Sequence, residues 1–216
     1  MSEEERSDSA PPKERYRTVL LFGAPGSGKG TQGKILGTIP GFYHCSCGDV
    51  FRQIDITSGL GKIFYEYSSR GELVPDEITV RMWAASIHAY TVLSQYKPTK
   101  DLLILDGIPR TIEQAKLMDK YINVFKVVHL VCTDEKAMFE RLRRRALKEN
   151  RFDDADEGVI RKRWSVYEKE TKPVLGHYNK KLIVEVDSIG SPARVLHDVL
   201  DMVVPIQDRH FKNVEV

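Results

Sequence analysis

Cysteine is scarce: Cys45, Cys47 and Cys132 are an odd three in 216 residues. That number makes no disulfide framework and fits a reducing compartment. Cys45-Ser46-Cys47 is at most half a metal knot, because no second Cys/His pair stands elsewhere at zinc-like spacing. No apolar run approaches the roughly 18 residues that cross a bilayer. The opening stretch Met1 to Ser9 is acidic without an apolar centre, so it resembles neither a secretory signal nor an arginine-rich transit peptide. Cytoplasm is the expectation. An excess of one charge is also missing: 33 basic residues face 31 acidic ones, a net charge of +2. This argues against a general nucleic-acid binder, and any basic site must be local. A hydrophobic fraction of 41% with 30% charged residues suits a globular chain of one generous domain.

Against that background one segment is unusual. Gly23-Ala-Pro-Gly-Ser-Gly-Lys-Gly-Thr31 follows the apolar run Thr18 to Phe22 and leads into helix-permissive sequence. A triphosphate needs many donors in one small volume, and backbone N–H groups crowd that closely only where side chains are absent. Glycines at 23, 26, 28 and 30 permit it. A helix starting near Lys29 would add its unpaired N–H groups and positive dipole end, with Lys29 as a point charge and the Thr31 hydroxyl near a Mg²⁺ ion. The general pattern ends Gly-Lys-Ser/Thr, whereas here Gly30 separates Lys29 from Thr31. A ligand-free glycine-rich turn is the bland alternative.

Residues 1–16 are polar and charged with Pro11-Pro12, and are expected to be a disordered tail. Strand-like runs recur at 18–22, 102–105, 127–131 and 182–186, with a weaker one at 42–45. Helix-like segments lie near 29–38, 48–58, 61–70, 76–95, 111–121, 134–149 and 156–179. The alternation predicts an α/β fold, a doubly wound parallel sheet of five strands with helices on both faces. Ligands of such sheets bind at the carboxyl ends of the strands.

That rule gives Asp106 and Arg110 a function. Leu102 to Leu105 runs straight into Asp106-Gly107-Ile108-Pro109-Arg110, on the rim shared with the glycine loop. Asp106 would bind Mg²⁺ directly or through water, and Arg110 would grip a phosphate with its guanidinium fork. A strand-end turn whose acid takes local N–H groups is the alternative. A second basic cluster, Arg141 to Arg145, Arg151 and Arg161 to Arg163, is interleaved with acids. Positions 141 and 145 share a helical face, so two guanidinium groups can reach one ligand. A solvated face laced with salt bridges would read much the same. Phosphoryl transfer, however, depends on positioned cations, and arginines in surplus suit it.

In these stretches the chain resembles the adenylate kinase group of nucleoside monophosphate kinases. The matching segments, in family order over about 140 residues, are Gly23 to Gln32, Cys47 to Arg52, Leu73 to Glu77, Leu105 to Thr111 with Gln114, Arg141 to Arg145, and Arg151 to Arg163. The resemblance implies a P-loop core (17–45, 76–144, 152–216) with an insertion closing over the monophosphate (46–75) and a short lid over ATP (145–151). It implies that Gly26, Ser27, Gly28, Lys29, Gly30 and Thr31 hold ATP, with Lys29 on the phosphates and Arg141 against the adenine. Arg52 and Arg110 would hold the phosphate of AMP, Gln114 its adenine, and Cys47, Leu73, Val74 and Gly107 the rest of that pocket. Arg145, Arg151 and Arg163 would neutralise the moving phosphoryl group. Mg²⁺, near Asp106 and Thr31, is the implied cofactor, and a monomer the implied state.

The departures are informative. Cys47 stands where adenylate kinases usually carry threonine and the UMP/CMP branch alanine, while Thr111 after Arg110, and Gln114, resemble the AMP branch. Ile108 replaces a common phenylalanine. Five residues separate Arg145 from Arg151, too few for the four-ligand knot of long lids, so no structural zinc is expected. Between Arg151 and Arg163 there is one residue more than in most relatives. No role is read for Val203 to Val216. Adenylate kinase activity is the leading reading. UMP/CMP kinase activity and a P-loop module that binds nucleotide without turnover are the alternatives.

Overall fold

The computed structural model describes residues 10–149 and 156–210. Strands β1 (Tyr16–Phe22), β2 (Phe42–Ser46), β3 (Leu102–Asp106), β4 (Ile122–Val131) and β5 (Ile183–Asp187) form one sheet in the order β2-β3-β1-β4-β5. Every pairing is parallel. Helices α1 (Lys29–Leu36), α2 (Cys47–Arg52), α3 (Gly59–Ser69), α4 (Asp76–Val92), α5 (Ile112–Met118), α6 (Glu135–Glu149), α7 (Glu157–Val166) and α8 (Pro192–His210) connect and flank it.

Alternate side chains of the strands feed two separate cores. Leu20 and Phe22 of β1 join Leu103, Leu105 and Val127 under α2, α4 and α5, with Trp83 and Val174. Val19 and Leu21 join Ile104, Val128 and Leu130 under α1 and α8. Burial on both faces is what makes these strands read as continuous apolar runs. Tyr16 is already in β1 and is buried, so the tail ends one residue earlier than expected. Its ring meets Trp83 and Tyr96 edge-on, at 6.5 and 5.6 Å between centroids.

Three elements differ from the sequence reading for identifiable reasons. The single helix expected over 48–58 breaks after Arg52, because Asp55 accepts the N–H and hydroxyl of Thr57 at 2.8 Å each and Ser58 caps the next helix. Such side-chain bonds compete with the helical ladder. The helix expected over 156–179 is regular only through Val166. It then widens into a π turn at Tyr167–Thr171 and tightens into 3₁₀ turns at Lys172–His177. Pro173 explains the change, since it has no N–H and crowds the carbonyl four residues back. Helix α8 was not anticipated, although Val195, Val199 and Val203 form a buried i, i+4, i+8 stripe.

Trp164 of α7 stacks on Phe139 of α6 at 5.9 Å and 20°. Arg161 lies over the same Phe139 ring, 5.2 Å from its centroid. No helix among the described residues is long and apolar enough to cross a membrane.

Candidate active site

Chain direction sets the site. All five strands end on one edge, and the loops leaving β1, β2, β3 and β5 surround a cavity of about 560 Å³ there. This lies within the roughly 300–1,000 Å³ of small-molecule pockets.

The glycine loop forms its floor. Gly28 precedes α1 with φ 97° and no side chain to cap the first turn, which leaves that turn's N–H groups bordering the cavity. Gly26 has φ 86°, and a β carbon there would lie 2.8 Å from the Met138 carbonyl oxygen, so the loop can rest on α6 only as glycine. The Ser27 hydroxyl is buried without a hydrogen-bond partner among the described residues, a costly state in the absence of an incoming acceptor or donor. Lys29 Nζ donates to the carbonyl oxygens of Gly23 at 2.7 Å and Ala24 at 3.1 Å.

Burial pushes the Lys29 ammonium down to about 8, opposed by Asp106 and reinforced by Arg110, Arg145 and Arg163. Those side chains therefore converge electrostatically on one nitrogen. The unfolded chain holds the Lys29 proton up to about 10.5, so between about 8 and that value it binds more protons than the fold, and stability rises with pH across the window. An anionic phosphate beside Lys29 restores the charged form. Triphosphate binding just above pH 8 is therefore expected to take up a proton, and affinity to weaken as pH climbs further. Calorimetry in two buffers of different ionisation enthalpy measures this, and zero uptake would remove Lys29 from the phosphate site.

Asp106 closes β3 and is buried, its Oδ2 4.0 Å from His44 Nε2. Gly30 faces it, with an added β carbon falling 3.7 Å from the same oxygen. Thr31 borders the cavity one residue on.

The wall that follows β3 is built as a chain of hydrogen bonds. Arg110 Nε donates to the Gly107 carbonyl at 2.8 Å, and its backbone N–H donates to Gln114 Oε1 at 2.7 Å. Gln114 Nε2 donates to Asp76 Oδ1 at 2.8 Å, at the start of α4. Thr111 caps α5 by accepting the Gln114 N–H at 3.0 Å. The two residues read as marks of an adenine acceptor thus also have structural duties. Of its amide's capacity, Gln114 uses one hydrogen and one lone pair in these bonds. Arg52 borders the cavity and is held by Asp49 at 2.5 Å. Cys47, Leu73, Val74 and Gly107 complete this wall. Burial pushes the Cys47 thiol up to about 12, so it is neutral.

The basic cluster divides. Arg141, Arg145 and Arg163 border the cavity, whereas Arg143 and Arg161 are exposed and pair with Glu157 at 3.0 and 2.8 Å. The salt-bridged exposed face is thus made by Arg143 and Arg161, while Arg141, Arg145 and Arg163 stand at the cavity wall. Arg141 Nη2 donates to the Ser188 carbonyl at 3.0 Å. Arg151 lies outside the described residues.

Several lining residues were missed. Ser188, Gly190 and Pro192 follow β5, and the strand-end rule applied to β5 as it was to β3 would have found them. Phe51 and Phe64, stacked at 5.1 Å, and the buried Thr79 left no such signal.

Comparison with known proteins bears on this cleft directly. The family model described as adenylate kinase matches residues 21–183. The chain belongs to the adenylate kinase family. The adenylate kinase of Parabacteroides distasonis is 40% identical over 165 residues, covering 74% of this chain and 83% of that one. The adenylate kinase of Nocardia farcinica is 37% identical over 177 residues, 80% and 91% of the two chains. That of Bacteroides thetaiotaomicron is 34% identical over 192 residues, 86% and 97%. Membership makes the chain a phosphotransferase with the P-loop sheet of adenylate kinases. The matched span runs from the end of β1 to the start of β5 and so includes the glycine loop, Asp106 and the cavity-lining arginines.

Proposed function

We propose that this adenylate kinase transfers the γ-phosphoryl group of Mg-ATP to AMP, reversibly, giving two ADP, as a cytoplasmic monomer. One observation carries the assignment of sites. A single cavity is lined at one end by the glycine loop with Arg141 and the loop after β5, and at the other by Arg52, Arg110, Gln114 and Val74. Two nucleotides can meet there phosphate to phosphate.

On this reading Gly26, Ser27, Gly28, Gly30 and Thr31 cradle the donor phosphates, and the buried Ser27 hydroxyl gains its missing partner. Lys29 exchanges its two carbonyl acceptors for phosphate oxygens. Arg141 and the Ser188 to Pro192 loop flank the donor base. Arg52 and Arg110 fix the acceptor phosphate, while Cys47, Leu73, Val74, Gly107 and Gln114 form the acceptor pocket. Asp106 and Thr31 offer hard oxygen donors that suit Mg²⁺, which neutralises phosphate charge when bound. Arg145 and Arg163, with Arg151 from outside the described residues, surround the moving group. The transfer needs little covalent help from the protein, so alignment and positive charge are what the side chains supply. Residues 46–75 serve as the acceptor-binding segment and 145–151 as the lid, with the remainder of 17–216 as core. Excluding water from the cleft favours transfer to AMP over hydrolysis.

The test is ADP formation from Mg-ATP with AMP, UMP, CMP, GMP or no acceptor. AMP is expected to be used at least tenfold better than the others, and preference for a pyrimidine would overturn the assignment. The UMP/CMP reading rests on Cys47, a neutral thiol that bonds a base only weakly. Cys47→Thr is accordingly expected to raise the ratio of AMP to CMP turnover severalfold, and an unchanged ratio would show that position 47 does not set specificity.

A further inference from the structure

A histidine interrupts the apolar run of β4. His129 lies in register with Phe22, the last residue before the glycine loop, and with Glu185 on the other side. It is buried, and both ring nitrogens are engaged: Nδ1 is 3.3 Å from Glu185 Oε1 and Nε2 is 2.9 Å from the Tyr167 hydroxyl. The partners assign the protons. An ionised carboxylate only accepts, so Nδ1 carries the hydrogen and Nε2 accepts the Tyr167 O–H. Neutral imidazole meets both demands, and burial, which lowers the pKa of His129, favours that form.

Tyr167 is the first residue of the π turn that follows α7, and its ring borders the nucleotide cavity. Single π turns recur at functional sites. Arg163 stands one helical turn earlier, on the same face as Tyr167, and borders the same cavity. The hydroxyl of Tyr167 therefore ties the end of α7 to β4, the neighbour of the central strand β1, level with Phe22 where the glycine loop begins. A hydrophobic contact alone would leave α7 free to slide or rotate, because dispersion is not directional. The buried Tyr167–His129 hydrogen bond is directional, and Glu185, itself mostly exposed, holds the other nitrogen of the ring.

We propose that His129, Tyr167 and Glu185 form a pin that sets the position of Arg163 over the transferring group. His129 and Tyr167 are positioning residues, acting through Arg163. The proposal rests on the adenylate kinase reading for the role of Arg163, whereas the pin itself is a property of the protein alone.

Tyr167→Phe keeps the ring and removes the bond. Its kcat is expected to fall about tenfold, with KM for ATP and AMP changed less than twofold and the melting temperature lowered by only a few degrees, the cost of leaving the buried His129 Nε2 without a partner. In an Arg163→Ala background the same change should cost less than twofold, because there is no guanidinium left to place. His129→Gln, whose amide oxygen can accept from the Tyr167 hydroxyl, should retain kcat within threefold of the parent protein. Independently of turnover, amide hydrogen exchange over residues 163–171 should speed up at least tenfold in Tyr167→Phe while β4 stays protected. A Tyr167→Phe kcat within twofold of the parent, an equal loss in both backgrounds, or unchanged exchange over 163–171 overturns the proposal. Absence of turnover with ATP and AMP in the parent protein would overturn the functional reading instead, and the exchange measurement would still decide whether the pin exists.

Discussion

Arg110→Ala is expected to lower kcat/KM for AMP by about three orders of magnitude, the scale of losing a positioned cation or oxyanion donor in group transfer. The guanidinium borders the cleft, and its one described side-chain bond is to the Gly107 carbonyl. The structural part of the residue is its backbone N–H, which donates to Gln114 and survives the substitution. The fold should therefore persist, with the melting temperature within a few degrees and ATP affinity nearly unchanged. Arg110→Lys keeps charge but loses the fork, and should fall between the two. Steady-state kinetics and a binding titration check all of this. An Arg110→Ala protein of normal activity would remove the acceptor-site assignment.

The second large effect combines opposite signs. Lys29→Met is expected to reduce kcat by at least about 10³-fold, since it removes the cation closest to the glycine loop. Its melting temperature, by contrast, is expected to be no lower than that of the parent at neutral pH. Burial disfavours the Lys29 charge enough to bring its pKa to about 8, and a methionine of similar length carries no such penalty. The lost bonds to Gly23 and Ala24 work against this gain, which limits its size. Calorimetric melting alongside the assay tests the pair of signs. A clear fall in melting temperature would mean that Lys29 braces the glycine loop more than its burial strains the fold.

Much of this architecture could be read from local chemistry. The strands and the glycine loop were legible because parallel strands are apolar throughout and Gly23, Gly26 and Gly28 hold the positive φ that favours glycine. Asp106 and Arg110 followed from one rule about strand ends. The shortfalls have a common physical origin in that they involve pairs of residues distant in sequence. Nothing near Gln114 announces that its amide reaches Asp76, and nothing in the Arg141 to Arg163 run says that Arg143 and Arg161 turn to Glu157 while Arg145 and Arg163 turn inward. His129 was passed over because a histidine amid valines looks like core until Tyr167 and Glu185 are seen beside it. Helix α8 is the exception, since its valine stripe was present in the sequence to be read.

The placement of the aromatic residues gives the protein its own optical gauge. Its two tryptophans occupy unlike surroundings: Trp83 is sealed in the sheet's core among tyrosines, and Trp164 lies partly open on α7 against Phe139. Emission from Trp83 should stay constant until the whole domain melts. Emission from Trp164 depends on how α6 and α7 lie against each other, so it should change when nucleotide binds between Arg145 of α6 and Arg163 of α7. Replacing Trp164 with Phe would leave the first signal alone, and the difference between the two spectra would follow events around the cleft with no attached dye.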